Sequence, residues 1–161
     1  MFIEKVCVAS DGSDVAVRAA QMAAVLAQTG ARRMVAVSVA QPRFSLAPGA
    51  PYGASLQSAA DQALKAARAH VDTVARIAEA GGVACEALIT LASSPGPEIV
   101  RIAEDYGCDL IVMGSHGPST IDRGYAGSVA RYVMAASAIP VLVLRDPREA
   151  ARPEFGEEPL P

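Results

Sequence analysis

The chain has 161 residues, which is enough for one domain with a hydrophobic core and too few for two ordinary domains. Hydrophobic residues make up 52% of it and aromatic residues only 4%, so aliphatic side chains and alanine must build the core. The net charge of −3 provides no basic surface for nucleic acid. No apolar run approaches the ~18 residues of a membrane-spanning helix, and no secretory signal is apparent. We therefore expect a soluble, cytoplasmic protein.

The cysteine and histidine pattern does not predict a metal site. The three cysteines include no CxxC pair and have no histidine partners nearby. Cys7 and Cys85 fall in apolar strand patterns, which favours buried core thiols. His70 stands among charged residues in a helical pattern, and we interpret it as a surface residue.

The first third of the chain reads as strand, helix, strand. Residues 5–10 are a short apolar strand, and apolar positions three and four apart from 16 to 27 predict a helix. Ser13 or Asp14 can cap that helix. Asp11 follows the strand directly, at the edge where open α/β sheets place their ligands.

The middle of the chain continues the alternation. Residues 34–39 predict a strand, and residues 55–80 predict a long amphipathic helix that ends at two glycines. Between them, residues 41–52 contain three prolines and form a loop that either covers a site or is unrelated to it. Residues 83–91 predict an edge strand, and a helix ending near Gly107 follows a proline-rich turn.

The stretch from 109 to 145 carries the strongest pattern. An apolar run at 110–113 breaks at Gly114, and Gly127-Ser128 opens a helical pattern that leads to a second apolar run at 141–144. With Gly117, the glycines have the spacing G-x2-G-x9-G-S. A helix that begins on Gly-Ser presents unpaired N–H groups to an anion. A phosphate-binding loop is therefore predicted, although glycines also simply end strands and turn corners.

Met113-Gly114-Ser115-His116-Gly117, Gly127-Ser128-Val129 and Pro140-Val141-Leu142-Val143 together resemble the nucleotide-binding signature of the universal stress protein family. The resemblance covers roughly residues 3–145. It implies an ATP-binding member of the family, with ATP or AMP bound and Mg²⁺ helping to neutralise the phosphates. The binding residues that the resemblance implies are Ser10, Asp11, Val39, Met113, Gly114, His116, Gly117, Arg123, Gly127, Ser128 and Val129.

The alternation of apolar strands and helices predicts an α/β fold with a parallel sheet covered by helices on both faces. The resemblance implies a Rossmann-like fold of the adenine nucleotide alpha-hydrolase type, with five strands in the order 3-2-1-4-5. The first and fourth strands are then neighbours, and Asp11 faces the same crevice as the glycine loop. We expect a single domain over residues 1–145 and a disordered tail over residues 146–161.

The resemblance implies a nucleotide-binding module of the stress response, read by an unknown protein partner. One alternative is a slow ATP hydrolase or phosphotransfer enzyme, for which Asp11 and His116 are the available groups although no catalytic residue is assigned. The pattern lacks the G-x4-G-K-[ST] lysine. A second alternative is a ligand-free dimeric scaffold. Because the run Val141–Leu144 would be a bare apolar edge strand, we expect a homodimer through it.

Overall fold

The computed structural model describes residues 2–30, 33–43, 52–116 and 126–147. Within these ranges the chain forms five strands and four helices in strict alternation. They are β1 (Val6–Ala9), α1 (Asp14–Gln28), β2 (Arg33–Ala40), α2 (Tyr52–Ala80), β3 (Ala84–Leu91), α3 (Pro95–Asp105), β4 (Leu110–Gly114), α4 (Ser128–Ala136) and β5 (Val141–Leu144).

The five strands form one parallel sheet in the order β3-β2-β1-β4-β5, which confirms the predicted topology. β1 lies at the centre, where Val6 pairs with Met34 of β2 on one side and with Leu110 of β4 on the other. Its four residues are all buried. This explains why the strand reads as a continuous apolar run rather than an alternating one.

Side chains alternate between the two faces of the sheet, and each face has its own core. On β1, Val6 and Val8 pack with α1 and α2, whereas Cys7 and Ala9 pack with α3 and α4. The same division continues on β4, where Val112 belongs to the first core and Met113 to the second. The helices therefore cover both faces, as expected.

Helix α1 contacts the sheet almost entirely through alanine. Ser13 caps its N-terminus, and the Ser13 hydroxyl accepts a hydrogen bond of 3.3 Å from the N–H of Ala16. Because alanine has no side chain beyond Cβ, the helix axis can approach the sheet closely. The buried residues of α1 are Val15, Ala16, Ala19, Ala20, Ala23, Ala24 and Ala27.

Two helices begin earlier than the sequence pattern indicates. α2 starts at Tyr52 rather than at residue 55, and α3 starts at Pro95, within the predicted turn. Proline is tolerated in the first turn of a helix, where its missing N–H costs no hydrogen bond. The Pro-Gly-Pro sequence of residues 95–97 therefore belongs to α3 and not to the connection.

Several predicted features fall on residues that the structure does not describe. Most of the predicted loop over residues 41–52 is among them, as are Gly117, Arg123 and residues 148–161 of the predicted tail. Among the helices in the described ranges, none is both long and apolar enough to cross a membrane.

Candidate functional site

A cleft of about 850 Å³ opens at the carboxyl ends of β1, β2 and β4. This size is within the range of small-molecule sites, roughly 300–1,000 Å³. The cleft has two walls, built in different ways. The α4 wall includes Ser115, His116, Gly127 and Ser128, and the α2 wall includes Ser10, Asp11, Ser38, Val39 and His70. Gly12 lies against the His70 ring, and residues 93–97 at the start of α3 also line the cleft.

The α4 wall is made mainly of backbone. α4 begins at Ser128 with Gly127 as its N-cap residue, as predicted, and no side chain of a described residue caps it. The N–H of Gly127 donates to the carbonyl of Ser115 over 2.6 Å, which holds the helix start against the end of β4. The N–H groups of the first turn of α4 have no partner within the helix, so this end of the cleft favours an anion.

Ser115 and His116 join this wall to the sheet. The N–H of Ser115 donates to the carbonyl of Leu144 over 2.8 Å, so the buried Ser115 ties the end of β4 to β5. The Ser115 hydroxyl lies 3.0 Å from Nδ1 of the half-buried His116. His116 is therefore held beside the start of α4, and it lines the cleft.

Gly114 lines the cleft, and its missing side chain also serves the packing of β4 against α1. A Cβ on Gly114 would lie 2.7 Å from Cγ1 of Val15 and 3.4 Å from the backbone N of Ala16, both in α1. The missing side chain thus gives room to the first turn of α1. Gly114 lines the cleft through its backbone.

The α2 wall begins with the turn after β1. The N–H of Ser10 donates to the carbonyl of Val37 over 2.9 Å, and Oδ1 of the exposed Asp11 accepts from the N–H of Ser13 over 2.9 Å. The N–H of Gly12 donates to the Ser10 hydroxyl over 3.3 Å. With φ of +79°, Gly12 has a backbone conformation that other residues rarely adopt.

His70 is not the surface residue that the sequence suggested. It is half-buried and lines the cleft, and its Nδ1 lies 3.2 Å from the hydroxyl of Ser38, a residue only 2% exposed. The sequence contained a signal for this position. His70 is three residues after the buried Ala67 and four before the buried Val74, which is the spacing of one helix face.

The remaining predicted residues contribute less specific surface. Val39, Met113 and Val129 line the cleft, and their side chains also contact the core on the α3–α4 face. Gly117 and Arg123 lie outside the described residues.

Among the described residues, those with a shifted pKa do not themselves line the cleft. On α3, hydrogen bonding to Arg101 holds the pKa of Glu98 below its usual range. Cys7 is buried, as its strand pattern predicted, and Cys108 is buried as well. Cys85 is half-buried rather than fully buried, and this partial burial raises the pKa of its thiol. Across the described ranges, no group of three or more His, Cys, Asp or Glu side chains could hold a metal ion.

The model of the universal stress protein family matches residues 3–145. The chain belongs to this family. A similar relative is the universal stress protein MJ0531 of Methanocaldococcus jannaschii, 32% identical over 146 residues, which are 91% of this chain and 84% of the relative.

Among solved structures, the universal stress protein MJ0577 of M. jannaschii has a TM-score of 0.79 at 25% identity, covering 91% of this chain and 98% of that one. A universal stress protein in complex with cAMP has a TM-score of 0.67 at 25% identity, covering 89% and 98%. These similarities agree with the fold and with the family to which the sequence motif pointed.

Proposed function

We propose that this universal stress protein binds an adenine nucleotide, ATP or AMP, and acts as a cytoplasmic stress-response module whose bound state is read by a protein partner. The observation that carries this proposal is the start of α4. Its first-turn N–H groups open into a cleft that also contains the ends of β1 and β2. A related universal stress protein forms a complex with cAMP, which is an adenine nucleotide.

The residues present fit such a ligand. On the α4 wall, Gly127 and Ser128 would hold phosphate oxygens through backbone N–H groups, with His116 beside them. On the α2 wall, Asp11 and the edge of β2 at Val39 would receive the nucleoside. Bound Mg²⁺ would supply charge neutralisation for a polyphosphate. Gly117 and Arg123 remain predicted phosphate contacts.

A charge placed at the start of α4 tests this proposal. Ser128 is exposed and is the first residue of α4, so Ser128→Glu should leave the fold intact. An acidic side chain in the first turn stabilises a helix by about 0.3–1 kcal/mol, because it complements the helix dipole. The same carboxylate would repel the phosphates. Two like charges about 4 Å apart cost ~1–4 kcal/mol, so calorimetry should show roughly tenfold weaker ATP binding or worse.

Ser128→Gln is the matched control, since it has the same shape without the charge, and it should bind ATP much more tightly than Ser128→Glu. Adenosine, which has no phosphate, should bind both variants equally. Equal ATP affinity of the Glu and Gln variants would rule out phosphate binding at α4. A wild-type protein that binds neither ATP nor AMP would favour the ligand-free scaffold.

Slow ATP hydrolysis is a second candidate, and the position of His116 favours it. The Ser115 hydroxyl fixes the imidazole ring beside the start of α4, where the terminal phosphates would lie. His116→Gln would remove a proton acceptor while keeping a side chain of similar reach. Phosphate release that falls in this variant while ATP affinity stays constant would support hydrolysis, and equal release in both proteins would contradict it.

We further propose that the domain is homodimeric through β5. This strand lies at the edge of the described sheet, and Leu142 is 36% exposed, while Val141 and Val143 also pack against the core. Leu142→Lys is therefore a cleaner probe of the edge than a change at either valine. Light scattering at micromolar concentration should give a dimer for the wild type and a monomer for Leu142→Lys.

Met22→Lys is the matched control for the dimer, because Met22 is a similarly exposed apolar residue, 42% exposed, on α1. This variant should remain dimeric. A monomeric wild type, or a Leu142→Lys protein that remains dimeric, would exclude β5 as the interface.

A further inference from the structure

The pairing of His70 with Ser38 occupies a part of the cleft that the glycine motif does not reach. His70 comes from the middle of α2, and Ser38 comes from β2, next to Val39. The Ser38 hydroxyl shares a hydrogen bond of 3.2 Å with Nδ1 of the ring. Ser38 is 2% exposed, so its hydroxyl is buried at a strand position that an apolar side chain could occupy instead. Buried hydroxyls need such a partner, and here the partner is an imidazole.

The turn after β1 is shaped to admit this ring. A Cβ on Gly12 would overlap both Cδ2 and Nε2 of His70. The backbone of Gly12 is therefore in direct contact with the Cδ2–Nε2 edge of the ring. This edge is opposite to Nδ1, the atom that meets Ser38. With Nδ1 held by Ser38, Nε2 is the ring atom directed toward the β1 turn.

The His70–Ser38 pair lies on the side of the cleft that we assign to the nucleoside, and not on the side assigned to the phosphates. His70 contacts Gly12, which follows Asp11. It also contacts Ser38, which precedes Val39. The Val39 side chain lies on the opposite face of β2, so it is the nearness to Asp11 that places His70 on the nucleoside side of the cleft, which Val39 also lines. The start of α4, assigned to the phosphates, belongs to the opposite wall. A half-buried imidazole at this place provides one further polar atom within the cleft.

We propose that His70 is a nucleoside-binding residue, with Nε2 as the contacting atom and Ser38 as the residue that orients the ring. The inference rests on the proposed nucleotide binding and adds to it a contact from α2. It predicts that the contribution of His70 is the same for every ligand that carries the nucleoside, whatever its number of phosphates.

Two amide substitutions separate the two ring nitrogens. The side-chain nitrogen of asparagine reaches about as far as Nδ1, and that of glutamine about as far as Nε2. His70→Asn can thus keep the bond to Ser38 and loses the contact with the nucleoside, whereas His70→Gln keeps a donor near the nucleoside. Calorimetric titrations with AMP, ATP and inorganic tripolyphosphate compare the three proteins. Asp72→Asn, an exposed change on α2, serves as the control.

We expect His70→Asn to bind AMP and ATP about three- to tenfold more weakly, by the same factor for both ligands, because one hydrogen bond is lost. His70→Gln should retain tighter binding than His70→Asn, and tripolyphosphate should bind all variants equally. Ser38→Ala should weaken AMP binding less than His70→Asn does, because the ring remains but is no longer oriented.

Two results would overturn the inference. One is unchanged AMP affinity in a folded His70→Asn protein, and the other is an equal loss in the Asn and Gln variants, which would indicate that His70 only fills space. Failure of the proposed function itself looks different, since the wild type would then bind neither AMP nor ATP. Thermal unfolding of each variant identifies any loss of affinity that comes from a damaged fold.

Discussion

The two walls of the cleft differ in how they are built. The α4 wall comes from one stretch of chain and offers mainly backbone N–H groups at a helix start, held by the bond between Gly127 and Ser115. The α2 wall is assembled from β1, β2 and α2, and it offers side chains, including a histidine and a serine 32 residues apart in sequence. A backbone site leaves a compact glycine pattern in the sequence, whereas a side-chain site leaves separate residues whose connection appears only in the folded protein.

The two walls also show two different reasons why a position near the cleft is occupied by glycine. Gly12 allows a left-handed backbone beneath the His70 ring, and Gly114 allows β4 to approach α1. At both positions the missing side chain makes room for a neighbouring part of the protein, the His70 ring at Gly12 and the start of α1 at Gly114. Glycines around a cleft can therefore serve the packing that shapes the cleft, and substitutions can distinguish this role from direct binding.

Gly114→Val should have the largest effect, because a branched side chain would be forced against Val15 and the backbone of Ala16. Overpacking of this kind costs about 3 kcal/mol at the upper end of its usual range. We expect the free energy of unfolding in urea to fall by that amount, with a smaller loss for Gly114→Ala. Unchanged stability together with lost ATP binding would instead assign Gly114 to the ligand.

Gly12→Ala should come next. A left-handed conformation costs a non-glycine residue about 1–2 kcal/mol, and the new methyl group must also displace the His70 ring. Gly82→Ala is a matched control, since Gly82 has a similar φ of +69° and its Cβ would meet no atom within 4 Å. Chemical denaturation should show a larger loss for Gly12→Ala than for Gly82→Ala. Equal losses would mean that the ring moves away without cost.

Asp11→Ala should have the smallest effect on stability. It removes the carboxylate oxygen that accepts from the N–H of Ser13, a bond worth about 1 kcal/mol. Asp11→Asn keeps an oxygen at that place and should restore most of the stability. Comparing AMP affinity in the two variants then shows whether the α2 wall needs the charge of Asp11 or only the turn that it stabilises. Weak binding by both variants would demonstrate the need for charge.

Hydrophobic periodicity and glycine positions are local signals, and they predicted the order of helices and strands along the chain. The helix start at Ser128 was found for the same reason. The strand order within the sheet came from the family resemblance, because local periodicity does not specify which strands are neighbours. The contact between His70 and Ser38 was missed because it depends on which side of α2 faces β2. The charged residues next to His70 in the sequence suggested that its side of the helix faces solvent. The contact between Gly114 and Val15 was not predicted, because the two residues are far apart in the sequence and come together only in the fold.

The alanine face of α1 has a consequence for how the cleft keeps its shape. Alanine loses no rotamer freedom on burial, so this helix is fixed against the sheet with little entropic cost from its side chains. Each alanine also contributes little buried area, and the attraction therefore depends on the short distance between helix and sheet. A larger residue at one of the alanines of this face that do not line the cleft, Ala19, Ala20, Ala23, Ala24 or Ala27, would act as a spacer. It would lift Val15 away from Gly114 and widen the cleft without altering a single residue that lines it.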